Sequence, residues 1–114
     1  MPRPRVEDML EPPPHPGEIL LEEFLRPLGI SQSAFAARIH VPLQRLHDVV
    51  RGRRGVTPDT ALRLARALGT STELWLDFQT AWDLWHAVHD PASVDIARIE
   101  PLARDRRGRL AALG

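Results

Sequence analysis

QSAFAARIHVPLQRLHDVVR, residues 32–51, is the stretch whose reading sets the fold. Phe35 and Ile39 stand four apart, so they share one face of a helix that starts at Ser31, a good N-cap. His40-Val41 supplies a short turn, and a third helix runs from Pro42 to about Arg51, with proline tolerated in its first turn. Two short helices that cross closely need a small side chain at the crossing, and Ala36 sits there. Phe35, Ile39, Val41, Leu46 and Val49 fill the shared core. At 100° per residue, Leu46, Val49 and Val50 cluster on one side of the third helix, and Gln44, His47, Asp48 and Arg51 point the other way. That polar face carries donors and acceptors of the kind that read base edges, on a helix slim enough for the major groove. An ordinary helical hairpin with a solvated outer face has the same spacing, so the pattern leaves both readings open.

Outward from this core, proline and glycine punctuate the chain. Residues 1–14 are proline-rich and read as an extended, mobile arm. A first helix opens near Pro16-Gly17, buries Ile19, Leu20, Leu21, Phe24 and Leu25, and stops at Pro27 and Gly29. GRRG at 52–55 is a loop. Thr57 caps a fourth helix with Pro58 at its first position, and Ala61, Leu64, Ala65 and Leu68 face the core until Gly69. Thr70 and Glu73 have capping-box spacing ahead of a long fifth helix reaching about His89. Residues 91–114 read as a loose extension with room for one short helix and a frayed tail. The expected fold is all-α: a five-helix helix-turn-helix domain over residues 15–90 between two loose ends.

The 114 residues suffice for one domain, and 15 arginines balance 15 acids. The balance hides a pattern: residues 7–25 carry six acids and no base, and residues 26–69 carry eight arginines against Asp48 and Asp59. Residues 70–100 are acidic again. A basic middle between acidic flanks suggests one face for a polyanion, although a charge run is also a solvated surface. Neither cysteine nor lysine is present. Disulfides, thiolate metal sites, Schiff bases and Walker-type phosphate loops are therefore excluded. No apolar run approaches the roughly 20 residues of a membrane span, and no secretory signal opens the chain, so a cytoplasmic protein is expected.

Three further pieces sharpen the reading: HPGEIL at 15–20, RGRRGVTPDTALRLARALGTS at 51–71 and ELWLDFQTAWDL at 73–84. Together with the central stretch they resemble the HigA-type antitoxins, within the Cro/repressor-like (XRE) helix-turn-helix family. The resemblance runs from His15 to about Leu84. It implies an autorepressor that binds double-stranded operator DNA as a homodimer. It also implies a second partner, a cognate HigB-type toxin of the RelE-like mRNA endonuclease fold. The chain departs from the family in two places: His40 stands where glycine is usual in the turn, and His47 where asparagine is common. The first position can require positive φ, which histidine adopts less freely than glycine. The second lies on the reading face, so a relative's operator cannot be carried over.

The resemblance also implies roles by position. Ser31 and Gln32 open the second helix, whose N-terminus meets a phosphate, with capping support the competing role for Gln32. Gln44, Arg45 and His47 are the expected base-edge readers, with an internal ion pair as the alternative for Arg45. Arg51, Arg53 and Arg54 are the expected backbone grip, against a solvated loop for the last two. On the fifth helix, Leu74, Trp75 and Phe78 read as core. Trp82 and Trp85 exceed what a small core holds and read as a dimer or toxin interface.

Asp83, His86, His89 and Asp90 lie close in sequence, but no other ligand cluster supports them, so neither a metal nor another cofactor is expected. No nucleophile elbow or metalloprotease motif is present, and an enzyme is not expected. The alternative to an antitoxin is a stand-alone repressor of the same fold without a toxin, and a helical interaction module that has lost DNA binding is the third reading.

Overall fold

The structure, a computed structural model, describes residues 5–111. Arg3, which the sequence places in the arm, lies outside the described residues.

Helix α1 runs through three contiguous segments: Pro16–Ile19, Leu20–Leu25 with the wider π pairing, and Arg26–Leu28. The wide turn ends where Pro27 can donate no N–H and its ring would crowd the Glu23 carbonyl in α geometry. Gly29, at φ 65°, closes the helix, with its own N–H on the Arg26 carbonyl and the Ile30 N–H on the Leu25 carbonyl. That double bond pattern needs a left-handed residue, which glycine supplies without a Cβ penalty.

Helix α2 spans Gln32–Arg38, and Ser31 Oγ accepts the Ala34 N–H at 3.1 Å as expected of its cap. The turn after it repeats the α1 closure without a glycine. His40 holds φ 60°, its N–H on the Ala37 carbonyl, and the Val41 N–H reaches the Ala36 carbonyl. A left-handed non-glycine residue costs about 1–2 kcal/mol. Arg63 braces this turn from another helix, donating from Nη1 to the Ile39 carbonyl at 3.0 Å and to the His40 carbonyl at 3.4 Å.

Helix α3 spans Leu43–Val50, with Pro42 at the N-cap rather than inside the first turn. Helix α4 spans Pro58–Leu68, capped by Thr57 Oγ1 on the Thr60 N–H. Helix α5, Thr72–His89, is capped by Ser71, whose Oγ accepts the Leu74 N–H at 3.1 Å. The N-cap is thus Ser71 rather than Thr70, and the expected Thr70–Glu73 capping box does not form. Thr70 does other work: its Oγ1 accepts the indole N–H of Trp75 at 2.8 Å, which lets that ring be fully buried with its one donor satisfied.

Leu20, Leu25, Phe35, Leu46, Val49, Leu64 and Trp75 form the centre of a single core. Burying each contributes about 1.5–3 kcal/mol. Phe24 and Phe78 pack on opposite sides of Trp75, with ring centroids 5.5 and 5.8 Å away. Leu74, expected in the core, is only half-buried and stands outside this cluster, because the face that turns inward is set by Trp75 and Gln79.

Gly17 explains the HPG opening. A Cβ placed there would lie 1.8 Å from the Val49 carbonyl oxygen, so α1 and α3 meet backbone to backbone. His15 Nδ1 accepts the Gly17 N–H at 3.0 Å and caps the helix at that contact.

The ends differ from the sequence expectation. Val6–Asp8 forms one 3-10 turn that packs on α5, and Trp85 Nε1 donates to the Met9 carbonyl at 2.9 Å, so this half of the arm is docked. Beyond α5, a short α6 spans Ser93–Ala97, and an antiparallel bridge joins Arg104 to Leu110 across a tight turn. No helix among the described residues is long and apolar enough to cross a membrane.

Candidate nucleic-acid interface

Leu46 and Val49 are buried at 1% exposure, which fixes the rotation of α3 and turns Gln44, His47 and Arg51 outward. Gln44 is exposed and donates from Nε2 to Asp48 Oδ1 at 2.9 Å, one turn along the same face. That bond spends one amide proton and leaves the carbonyl and the second proton for another partner. His47 is half-buried between them and Arg51 exposed.

Arg45 does not share that freedom. Its Nη2 donates to Asp59 Oδ2 and to Thr60 Oγ1, both at 2.7 Å, tying α3 to the start of α4. Arg63 reaches the same carboxylate at 2.9 Å, and the Arg63 and then the Arg45 hydrogen bonds hold Asp59 below the usual carboxylate range. Of the two roles open to Arg45, the structure shows the internal ion pair.

At the start of α2, Ser31 is exposed and already caps the helix. Gln32 Oε1 is shielded from solvent and accepts no hydrogen bond among the described residues. Gln32 therefore gives α2 no capping bond through that oxygen.

Arg53 and Arg54 are exposed on a loop that the fold holds from beneath. Both their N–H groups donate to the Asp48 carbonyl, at 2.8 and 3.1 Å, and Gly52 takes φ 72° to make the bend. On the far side, Gln79 of α5 accepts the Val56 N–H at Oε1, 2.7 Å away, and donates from Nε2 to Asp83 at 2.9 Å. A cleft of about 430 Å³ between loop and helix is lined by His15, Arg53, Arg54, Gln79, Trp82 and Asp83. Ser31, the outward face of α3 and this loop are polar or basic and at least partly exposed, and hydrogen bonds hold each of them in place.

Sequence reasoning missed Gln79 and His15. A glutamine inside an aromatic helix stripe gives no spacing signal, and its partner is a loop amide. His15 carried a weak signal, since histidine before Pro-Gly can cap. His15 is buried and meets Trp82 edge to face at 5.1 Å. Burial lowers its pKa, opposed by Asp83 and Glu18. Trp82 stacks on His86 at 3.8 Å and Trp85 on His89 at 3.9 Å, and each histidine donates Nδ1–H to the carbonyl four residues back. Both tryptophans are half-buried.

Comparison with known proteins agrees with this geometry. The family model described as Helix-turn-helix matches residues 21–75. Virulence-associated protein I of Dichelobacter nodosus is 50% identical over 93 residues, covering 82% of this chain and 84% of that protein. The solved antitoxin GraA superposes with a TM-score of 0.76 at 40% identity, covering 81% of this chain and 99% of that one. The chain belongs to the HigA-type family of helix-turn-helix antitoxins. Within that family, the Pseudomonas aeruginosa antitoxin HigA, solved with the higBA promoter, matches at a TM-score of 0.74 and 38% identity over 80% of this chain and 99% of that chain.

Proposed function

We propose that this HigA-family chain is the antitoxin of a type II toxin–antitoxin module. It binds operator DNA as a dimer, represses its own operon, and neutralises a RelE-like, HigB-type toxin by direct contact. The observation that carries the DNA half is the rotation of α3: buried Leu46 and Val49 leave Gln44 and His47 outward, with Arg51, Arg53 and Arg54 around them. The relative solved with its promoter supports the same reading.

In this reading Gln44 and His47 face base edges, while Arg51, Arg53 and Arg54, with Ser31 and Gln32 at the start of α2, meet phosphates. Arg45 holds α3 against α4 rather than reading a base. Trp82 and Trp85 supply aromatic surface on α5 for the second protomer or the toxin, since aromatics anchor such contacts. In a symmetric dimer the two α3 helices lie about 34 Å apart, one turn of DNA. The stand-alone repressor is favoured by one feature: Trp85 is already engaged by Met9 of its own chain, which leaves less of α5 for a toxin.

The test is binding to the DNA upstream of the chain's own gene, with light scattering for the dimer. Co-expression with the product of the adjacent reading frame then tests the antitoxin half. Specific binding with rescue of growth is expected. Equal affinity for operator and scrambled duplex sinks the repressor reading, and specific binding without rescue leaves the stand-alone repressor.

A further inference from the structure

Residues 103–111, ARDRRGRLA, were expected to fray, yet they fold into a small hairpin. The Asp105 carbonyl accepts the Gly108 N–H at 3.0 Å, Asp105 N–H reaches the Arg109 carbonyl at 2.9 Å, and Ala111 N–H reaches the Ala103 carbonyl at 2.8 Å. Gly108 takes φ 78°, as a turn of this length requires. A hairpin alone is marginal in water. This one is tied internally by two side chains. Asp105 Oδ1 accepts the N–H groups of Arg107 and Arg109 at 2.8 and 3.0 Å, and Arg104 Nη1 donates to the Gly108 carbonyl at 2.7 Å.

The consequence is electrostatic. The one carboxylate of the hairpin is turned inward onto backbone amides. Arg106, Arg107 and Arg109 are exposed, and among the described residues their guanidinium groups make no ion pair or hydrogen bond. Three always-charged forks, unpaired among the described residues, therefore lie within four residues at one turn. Guanidinium forks match phosphate oxygens, and a two-stranded ribbon is slim enough for the major groove.

Helix α5 passes the Arg53–Arg54 loop at Gln79–Asp83, and its last residue lies about 9 Å further along at 1.5 Å per residue. Helix α6 folds back on α5, and the hairpin follows within a few residues. The turn at 105–109 bears no aromatic or aliphatic side chain, and the exposed Ile96, Ile99, Leu102 and Leu110 flank it. We propose that the 103–111 hairpin is a second DNA-contacting element, which binds backbone phosphates outside the footprint of the helix-turn-helix through Arg106, Arg107 and Arg109. The choice of DNA as the polyanion rests on the function proposed above.

Phosphate contacts carry no sequence information, so random duplexes test the proposal without knowledge of the operator. Full-length protein, a variant with Arg106→Gln, Arg107→Gln and Arg109→Gln, and Gly108→Val are titrated across a salt series. One duplex spans about one and a half helical turns and the other about four. The arginine variant is expected to bind the long duplex several-fold more weakly, with a salt slope lower by about 0.9 per lost phosphate contact, and to match the parent on the short one. Gly108→Val keeps every charge and breaks the turn, so partial loss on the long duplex shows that the folded hairpin matters. Arginine-variant binding equal to the parent on both duplexes, while Arg53→Gln with Arg54→Gln weakens both, overturns the hairpin and leaves the proposed function standing. If the arginine variant instead alters self-association at unchanged DNA affinity, the hairpin is a protein contact and the proposal fails. A parent that binds neither duplex at low salt overturns both readings.

Discussion

Gln79 Oε1 accepts the backbone N–H of Val56 at 2.7 Å, so the helix that bears Trp82 and Trp85 also holds the loop that bears Arg53 and Arg54. The glutamine is only 8% exposed, and a Cβ on Gly55 would stand 3.2 Å from its amide carbon. Loop and helix therefore touch closely at Gly55 and Gln79, beside the cleft that separates them elsewhere. A shift of α5 has a direct mechanical route to the Arg53–Arg54 loop, through one side chain rather than through the whole core.

Replacing Gln79 tests that route. Gln79→Leu keeps the volume but strands the buried Val56 N–H, at a cost of about 1–3 kcal/mol. A chemical-denaturation series should show the loss. Non-specific DNA affinity should fall as well, with a shallower salt slope, because the arginines no longer share one geometry. Destabilisation with an unchanged slope, measured well below the melting point, would show that the bond supports the fold alone.

Base reading and backbone grip should separate by substitution. Gln44→Ala is expected to cost about 1–3 kcal/mol per half-site on operator and little on scrambled DNA. Arg54→Ala should weaken both and lower the salt slope by about 0.9, doubled in a symmetric dimer. Arg45→Ala should differ from both. Its guanidinium is bound to Asp59 and Thr60, so the substitution should loosen α3 against α4 and lower thermal stability. Fluorescence anisotropy on the two duplexes decides, and equal effects of Gln44→Ala on both would reverse the assignment.

What the sequence shows and hides follows from the range of each interaction. Ser31 and Thr57 are local caps whose partners lie three residues on, and both stand where the pattern places them. The positive φ at His40 was legible only through the resemblance, which puts glycine at that place in the turn. The cap falls on Ser71 rather than Thr70 although two hydroxyl residues stand together at the helix start, and what separates them is the bond from Thr70 to the indole of Trp75, five residues on. The ion pair of Arg45 was one of two open readings, and its partner Asp59 lies in another helix. Met9 and Trp85 are separated by most of the chain, so no periodicity relates them. The hairpin at 103–111 hides for the opposite reason: its bonds are local, but arginine-rich composition reads as solvated tail.

The docked arm makes a stability prediction. Removing residues 1–9 deletes the acceptor of the Trp85 indole N–H and uncovers that ring. The loss should be about 1 kcal/mol, or a fall of a few degrees in Tm, with a red shift in tryptophan emission. An unchanged melt and spectrum would mean that the arm is detached in solution, as its proline content suggests.

His15 makes stability depend on pH, and the sign follows from its surroundings. Its ring is buried against Trp82 and Gly52, and Nδ1 must stay unprotonated to accept the Gly17 N–H. Burial lowers its pKa below the ordinary 6.5, Asp83 and Glu18 oppose the shift, and His86 adds to it. The unfolded chain therefore takes up a proton at this site more readily than the folded one. The stabilising contribution is complete above about pH 6.5, and it is lost as pH falls through the lower folded pKa. Thermal melts from pH 8 to 5 should show a declining Tm below about pH 6.5 in the parent. His15→Asn keeps an acceptor for Gly17 but cannot be protonated, so its Tm should be lower at pH 8 and flatter across the series. A parent and a His15→Asn variant with parallel pH profiles would show that the acid sensitivity, if present, comes from another group.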